Sequence, residues 1–460
     1  MTAAAAGTVF PVADDALANT SYLVALGAGT AAVVDPRRDV ETYRRLASDR
    51  GLTLTAALET HLHADFVSGS RELADAGVTV YAAGTARLGF EYQPVGDGDR
   101  LKLSECTVEV LGTTGHTPEH LSFLLQSGAD APGSVFTGGS LIFGGAARTD
   151  LAGADRIGEL TRAQWTSLQR LATLPGRTRL HPTHGSGSFC SVGPTPSGSG
   201  TIAAELAAND LLTAPDPDTF AQRLLSRLGS FPPYFLQLRA VNQHGAPHRS
   251  ELPAPQALPA RDAAAAQAAG AVLVDLRPLP QWSAGSPAGA VANMLRPAFA
   301  SWLGWAVNRF TPLIWLTSTE NAPFEAAEAT AFAHRIGHDL VLGWIDGGID
   351  AWRAAGLLVQ SVDLVDPDTA AASALDGALL LDVRQSAELA GGVLPGAAHL
   401  ELGQIIAGAL PPATRVVTYC GHGERSATAA SLLAARGIQV VNLAGGTEAW
   451  TGSGRRLAPQ

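Results

Sequence analysis

Cysteine is scarce in this chain, three in 460 residues. That is too few for a disulfide framework and points to a reducing, cytoplasmic setting. Lysine is scarcer still: Lys102 is the single example, and every other basic residue is arginine. With so much alanine present, this reads as coding bias rather than mechanism. Basic residues fall short of acidic ones, 31 against 42, leaving a net charge of −11. General nucleic-acid binding is therefore excluded, because it needs a cationic surface to displace counterions. No apolar run reaches about 18 residues, so no membrane span is expected. The opening MTAAAAGTVFPVADD has no basic stretch before its alanines, so no secretory signal is expected either. Hydrophobic residues make up 46% and charged residues 16%. That composition supplies several cores and rules out disorder over most of the length. At about 150 residues per domain, the length suggests roughly three domains.

The first 190 residues alternate short apolar strands with polar turns. SYLVAL (21–26), AAVVD (31–35), LTAALETH (53–61), VTVYAA (78–83), CTVEVLG (106–112), LSFLLQ (121–126) and SVFTGGSLIF (134–143) read as strands. Residues 39–50 and 201–228 read as helical. SVGPTPSGSG (191–200) is a loop. The proline-rich stretch 244–260 has no periodicity and reads as a linker. An internal repeat follows. AVLVDLRPLPQW (271–282) parallels ALLLDVRQSAEL (378–389), and WIDGGIDAW (344–352) parallels NLAGGTEAW (442–450). Alternating strands and helices imply a covered parallel sheet in each half.

The sharpest chemical signal is RVVTYCGHGERSATAASLLAARG (415–437). A buried strand ends at Cys420. The loop Gly421, His422, Gly423, Glu424, Arg425 follows, and Ser426 enters an alanine-rich helix. This order places sulfur beside backbone N–H groups and a helix N-terminus, and both stabilise an anion. Arg425 adds a fixed positive charge. In phosphate-cleaving cysteine enzymes the arginine falls six residues after the cysteine. Here it falls five after, which suits a smaller anion such as a persulfide.

LLLDVR (379–384), LPGAAH (394–399), YCGHGERS (419–426) and LAGGTEAW (443–450) resemble the rhodanese family of sulfurtransferases. The resemblance implies that Cys420 accepts sulfane sulfur as a persulfide and passes it to a thiol. It also implies that Gly421, His422, Gly423, Glu424 and Ser426 line the substrate, and that Asp382 and Arg384 hold the fold together. The middle repeat is similar, but TSTE (317–320) stands where the cysteine loop belongs. An interface or scaffolding role is the expectation for it.

The second signal is three histidine-bearing strand ends: THLHAD (60–65) with His61, His63 and Asp65, GHTPEH (115–120) with His116, and HPTHG (181–185) with His181 and His184. Neutral imidazoles gathered this way bind metal. These pieces resemble the metallo-β-lactamase superfamily, an αββα sandwich with metal at one edge. ETHLHADFVSG (59–69), GHTPEHLSFLL (115–125) and NTSYLV (19–24) resemble its persulfide dioxygenase branch. That resemblance implies one iron held by two histidines and a carboxylate, oxidising glutathione persulfide to sulfite. Phe66 replaces a second-metal histidine, so a mononuclear site is expected. Gly139 replaces the aspartate of the iron triad, leaving His61 and His116; Ser140 is a poor neutral ligand. Three outcomes stay open. His63 or Asp65 completes a changed iron site. Alternatively, His61, His63 and His116 hold zinc in a hydrolase, or the domain binds no metal. His184 is read as orienting these groups or joining them. Cys190 is either an idle thiol or a sulfur carrier, and Cys106 is structural.

The resulting expectation is an α/β multidomain chain. A metallo-β-lactamase-like sandwich spans 1–243, a linker 244–260, a cysteine-less rhodanese-like domain 261–360 and an active rhodanese domain 361–460. Its partners would be small thiols and persulfides, glutathione persulfide and thiosulfate among them. The whole arrangement resembles bacterial persulfide dioxygenase–sulfurtransferase fusions of sulfide detoxification, and that resemblance implies a homo-oligomer.

Overall fold

The computed structural model describes residues 4–128, 131–185, 187–192 and 200–459. Two compact units make up the chain: Met1–Glu251 with Arg335–Gly337, and Leu252–His334 with His338–Gln460. The first holds two six-stranded sheets. One runs, in spatial order, through Val9–Asp14, Asn19–Gly27, Thr30–Val34, Thr53–Leu58, Thr79–Ala83 and Gln93–Val95. The other runs through Gly200–Thr201, Arg179–Pro182, Ser134–Gly138, Leu121–Gln126, Cys106–Gly112 and Arg100–Leu103. Alternate residues of both sheets face one shared core that includes Val24, Leu58, Val108, Phe123 and Phe136. Fully burying a phenylalanine such as Phe123 contributes roughly 1.5–3 kcal/mol. Tyr43 of the helix Glu41–Ser48 packs on the outside of the first sheet. Leu168 and Leu171 of the helix Ile157–Ala172 join the core that covers the second. Helices outside two facing sheets make the αββα sandwich expected. Cys106 is fully buried in the core between the sheets.

The second unit repeats one architecture twice. Each half has a five-stranded, wholly parallel sheet. In the first half the spatial order is Gln256–Leu258, Val341–Ile345, Leu313–Leu316, Val272–Asp275, Val291–Ala292. In the second it is Leu364–Val365, Gln439–Leu443, Arg415–Tyr419, Leu379–Asp382, Ala398–His399. The chain visits the positions in the same sequence in both. Asp275 and Arg277 form a buried two-pronged pair at 2.9 and 2.6 Å, and Arg277 also reaches the Gly285 carbonyl. Asp382 and Arg384 repeat this with the Gly392 carbonyl. Each pair pins the segment after the first long strand, a fold-holding geometry.

Three boundaries differ from the sequence reading. Gln256–Leu258, inside the stretch expected to be a linker, is a strand of the first parallel sheet. The strand expected over 134–143 stops at Gly138, whose φ of +52° turns the chain out of the sheet. The helical stretch 201–228 is two helices, Ile202–Ala208 and Pro217–Leu225. Asp216 caps the second by accepting from Asp218 N and Thr219 N. Most of the loop expected at 191–200 lies outside the described residues. Among the described residues no helix is long and apolar enough to cross a membrane.

Candidate metal centre and cysteine site

Strand ends build the histidine cluster. Thr53–Leu58 leads into the loop carrying Thr60, His61, His63 and Asp65, and Arg179–Pro182 leads into Thr183 and His184. Asp35 ties the two loops together. Its carboxylate accepts from Thr60 N at 2.7 Å, from Thr60 Oγ1 at 2.8 Å and from the Thr183 hydroxyl. Asp35 sits at a φ of +49° and is fully buried. Backbone strain of this kind persists where surrounding bonds over-determine it.

Hydrogen bonding fixes which nitrogen of His61 and of His116 is free. His61 Nδ1 lies 2.8 Å from Thr60 Oγ1. That hydroxyl gives its own proton to Asp35, so His61 donates from Nδ1 and Nε2 stays bare. His116 Nδ1 donates to the Arg148 carbonyl at 2.7 Å, and its Nε2 is free likewise. His184 Nδ1 faces Asp65 Oδ2 at 3.3 Å. The three histidines can present one nitrogen each within 4.8 Å of the others. The Nε2 atoms of His61 and His184 are 3.3 Å apart. That spacing is close enough for one ion to touch both nitrogens, and a second partner fixing the ring is the usual support of a ligating histidine. Burial, then the neighbouring imidazoles, push His61 well below the ordinary histidine range. Burial, then His184, take His116 down to about 3. Both are therefore neutral, the form that binds metal.

His63 is turned elsewhere. Its Nε2 lies 3.2 Å from Glu59 and 3.3 Å from Asp35. Burial alone would depress it, but the two carboxylates prevail and lift it to about 10. Two other groupings are also compact, Asp35–His61–His63 and His63–Asp65–His184. Both use His63, and the first also uses Asp35, one of the two carboxylates it faces. His63 thus faces Asp35 and Glu59, Asp65 lies against His184, and the grouping of His61, His116 and His184 is the one that leaves those contacts in place. Phe66 stacks on His63, ring centroids 4.1 Å apart. His181 lies apart, against Tyr22 and Phe136.

Gly139 is filled from outside. A Cβ built there would lie 2.9 Å from His116 Cγ, closer still to Cδ2, and 3.0 Å from Ala147 Cβ. The His116 ring occupies the room an aspartate side chain would need. The Gly139 N–H donates to His120 Nε2 at 3.0 Å. Gly139→Asp is accordingly expected to lower stability by about 1–3 kcal/mol, the usual cost of overpacking. Chemical denaturation checks this, and an unchanged midpoint with raised iron content would contradict it. Cys190 is fully buried, and burial followed by Asp65 pushes its thiol well above the usual range.

In the second unit, Cys420 follows the strand Arg415–Tyr419 and precedes the helix Glu424–Ala435. Its Sγ accepts from Gly423 N at 3.1 Å and from Ser426 Oγ at 3.6 Å. Only 1% of Cys420 is exposed, so the sulfur is enclosed rather than presented openly. Gly423 supports this turn with a φ of +103°. Gly446 is needed for close approach: a Cβ there would lie 2.7 Å from the Gly421 carbonyl oxygen and nearer to that of Cys420. That explains the Gly-Gly of the repeat. Arg425 forms a two-pronged pair with Glu388 at 2.5 and 2.7 Å. It also lies over the Trp302 ring, 5.3 Å from the centroid. Burial would weaken its charge, but Glu388 and Cys420 hold it firmly. His422 is exposed and faces Glu448 at 3.3 Å. In the middle repeat the equivalent loop is occupied internally, since Ser318 N donates to Glu325 at 2.8 Å.

Sequence reasoning missed Asp35, Glu388 and Trp302. A strand-end aspartate in AAVVD was a usable signal for the first. No local signal existed for the others, which stand 32 and 118 residues from Cys420.

Comparison with known proteins places this geometry in a class. The metallo-beta-lactamase superfamily matches residues 14–184 and the rhodanese-like domain matches residues 367–453. A hydroxyacylglutathione hydrolase of Synechococcus sp. (strain WH7803) is 37% identical over 161 residues, 34% of this chain and 60% of that protein. Another, from Synechococcus sp. (strain CC9605), is 33% identical over 180 residues, 38% of this chain and 68% of that protein. The crystal structure of a metallo-beta-lactamase from Staphylococcus aureus subsp. aureus COL covers 74% of this chain and 99% of its own, with 27% identity and a TM-score of 0.66. The chain spans just over half to about two thirds of the length of these curated relatives. The chain belongs to the metallo-β-lactamase superfamily through its N-terminal domain and carries a rhodanese-like domain at its C-terminal end.

Proposed function

We propose that the chain is a sulfur-handling enzyme whose Cys420 accepts sulfane sulfur as a persulfide and passes it to a small thiol. The observation that carries this reading is the enclosed sulfur held by Gly423 N at 3.1 Å, at the start of a helix. Backbone N–H groups and a helix N-terminus favour an anionic sulfur, the nucleophilic form. The thiolate attacks the outer sulfur of a donor such as thiosulfate. One S–S bond forms, the donor's S–S bond breaks, and sulfite leaves with the electron pair. A thiolate acceptor then takes the outer sulfur and regenerates Cys420. Incubation with thiosulfate should add the mass of one sulfur atom to the intact chain, and a thiol should remove it. No added mass would overturn the reading.

The N-terminal domain is read as a single-metal site built from His61, His116 and His184. One nitrogen of each can meet a divalent ion, with Thr60 and Arg148 fixing two of the rings and Asp65 lying against the third. Such an ion supplies Lewis acidity to water or to a substrate oxygen. Three imidazoles without a carboxylate suit zinc better than iron. This donor set favours hydrolysis of a glutathione thioester, the chemistry suggested by the names of the curated relatives, over oxidation of glutathione persulfide. Metal analysis separates them. About one zinc with thioesterase activity supports the first reading, and iron with oxygen uptake on glutathione persulfide supports the second.

A further inference from the structure

The Cys420 site has a cation problem. Arg425, the basic residue of its own loop, is bound on both prongs by Glu388. That carboxylate takes two of the five N–H donors and offsets the charge that an incoming anion would meet. The cysteine-less half supplies another. Its loop 293–298 runs between the strand Val291–Ala292 and the helix Phe299–Ala306, and both ends are anchored to the cysteine-bearing half. Ala292 N donates to Ser431 Oγ at 3.1 Å. Trp282, Ala292 and Met294 share one buried cluster with Ala427 and Ala430 of the helix that follows Cys420. At the other end the Trp305 ring packs closely on Gly403, where a Cβ would come within 3.0 Å of Cη2. Arg296 stands in the middle of this braced loop, half-buried, with its Nε enclosed and without a hydrogen-bond partner. Glu424, Cys420 and Arg425 are near enough to act on it electrostatically, and Arg425 lies over the Trp302 ring of the helix that this loop enters.

We infer that the cysteine-less half completes the Cys420 site, with Arg296 receiving the anionic group of the sulfur donor and Trp302 holding Arg425 against Glu388. The donor class is a small anion that carries its charge next to the sulfane sulfur, a thiosulfonate or thiosulfate. In the transfer step already described, Arg296 faces the oxygens that depart as sulfite, and its unpartnered Nε donates to one of them. Glu424 opposes that charge and limits how tightly the anion is held. The inference rests on Cys420 being the sulfur acceptor, and the experiment separates the two.

Steady-state transfer is measured for Arg296→Gln, Arg296→Lys and Glu424→Gln in the full chain, with thiosulfate and with a neutral alkyl persulfide as donors. Arg296→Gln should raise the KM for thiosulfate roughly ten- to hundredfold, the span of a lost charge-assisted hydrogen bond, and leave kcat and the neutral donor nearly unchanged. Arg296→Lys should recover part of the loss, and Glu424→Gln should lower the thiosulfate KM. An unchanged thiosulfate KM in Arg296→Gln overturns the inference. So does an equal loss with both donors, which would assign Arg296 to the fold or the thiolate. Failure of the unaltered chain to accept sulfur from either donor would instead overturn the reading of Cys420.

Discussion

Cys420→Ser is expected to abolish sulfur uptake and to lower thiosulfate-dependent transfer by roughly a thousandfold or more, the scale of losing a covalent nucleophile. The fold should survive. The substitution replaces Sγ with a smaller oxygen that can still accept from Gly423 N and Ser426 Oγ. Loss of activity with unchanged unfolding would therefore report chemistry alone. The oxygen nucleophile cannot carry a sulfane sulfur, so mass spectrometry of the treated variant should show no adduct. Cys106 and Cys190 provide an internal control. Both are fully buried, and burial pushes both thiols up, Cys190 furthest. An adduct that persists in Cys420→Ser would move the acceptor role to one of them.

The second large effect concerns the three imidazoles. His61→Ala, His116→Ala and His184→Ala should each bring the metal content of the purified chain close to background, because removing one of three donors leaves an incomplete set. His63→Gln should behave oppositely. It takes a cation from between Asp35 and Glu59, so it should cost roughly 3–5 kcal/mol as a broken buried pair while the chain retains its metal. Plasma emission measurements beside urea unfolding check both halves. If His63→Gln loses metal and His184→Ala keeps it, the ligand set is a different one. That result would point to the grouping of Asp35, His61 and His63, which is equally compact. Asp65→Asn gives an intermediate expectation: weakened affinity of about 10–100-fold, the usual effect of loosening a ligand's orienting partner.

The two sites were legible in the sequence to different depths. The cysteine site is local. Strand, glycine-rich loop and helix lie within a few residues of Cys420, so their order alone implied N–H groups around the sulfur. The histidine cluster was legible as a gathering of strand ends, because loops at strand termini converge in a sandwich. Which histidines converge was not legible. His61 and His63 share one loop and one residue type, yet one turns toward His116 and His184 and the other toward Asp35 and Glu59. The difference depends on carboxylates brought in by other strands. The filling of the space at Gly139 was not legible for the same reason, since a missing side chain says nothing about which ring takes its place.

What the residues alone determined is the division of chemistry: a nucleophilic cysteine before a helix, clustered imidazoles at strand ends, and a repeated parallel α/β half whose counterpart has no cysteine. These follow from periodicity and from spacing over a few residues, where chain geometry leaves little choice. What only the tertiary structure decided is partnership. Glu388 takes Arg425, the loop bearing Arg296 is anchored to the helix after Cys420 from more than a hundred residues away, and Thr60 and Arg148 select the free nitrogens of His61 and His116. Charges and ring orientations depend on distances of a few ångströms between segments remote in the chain, and packing sets those distances.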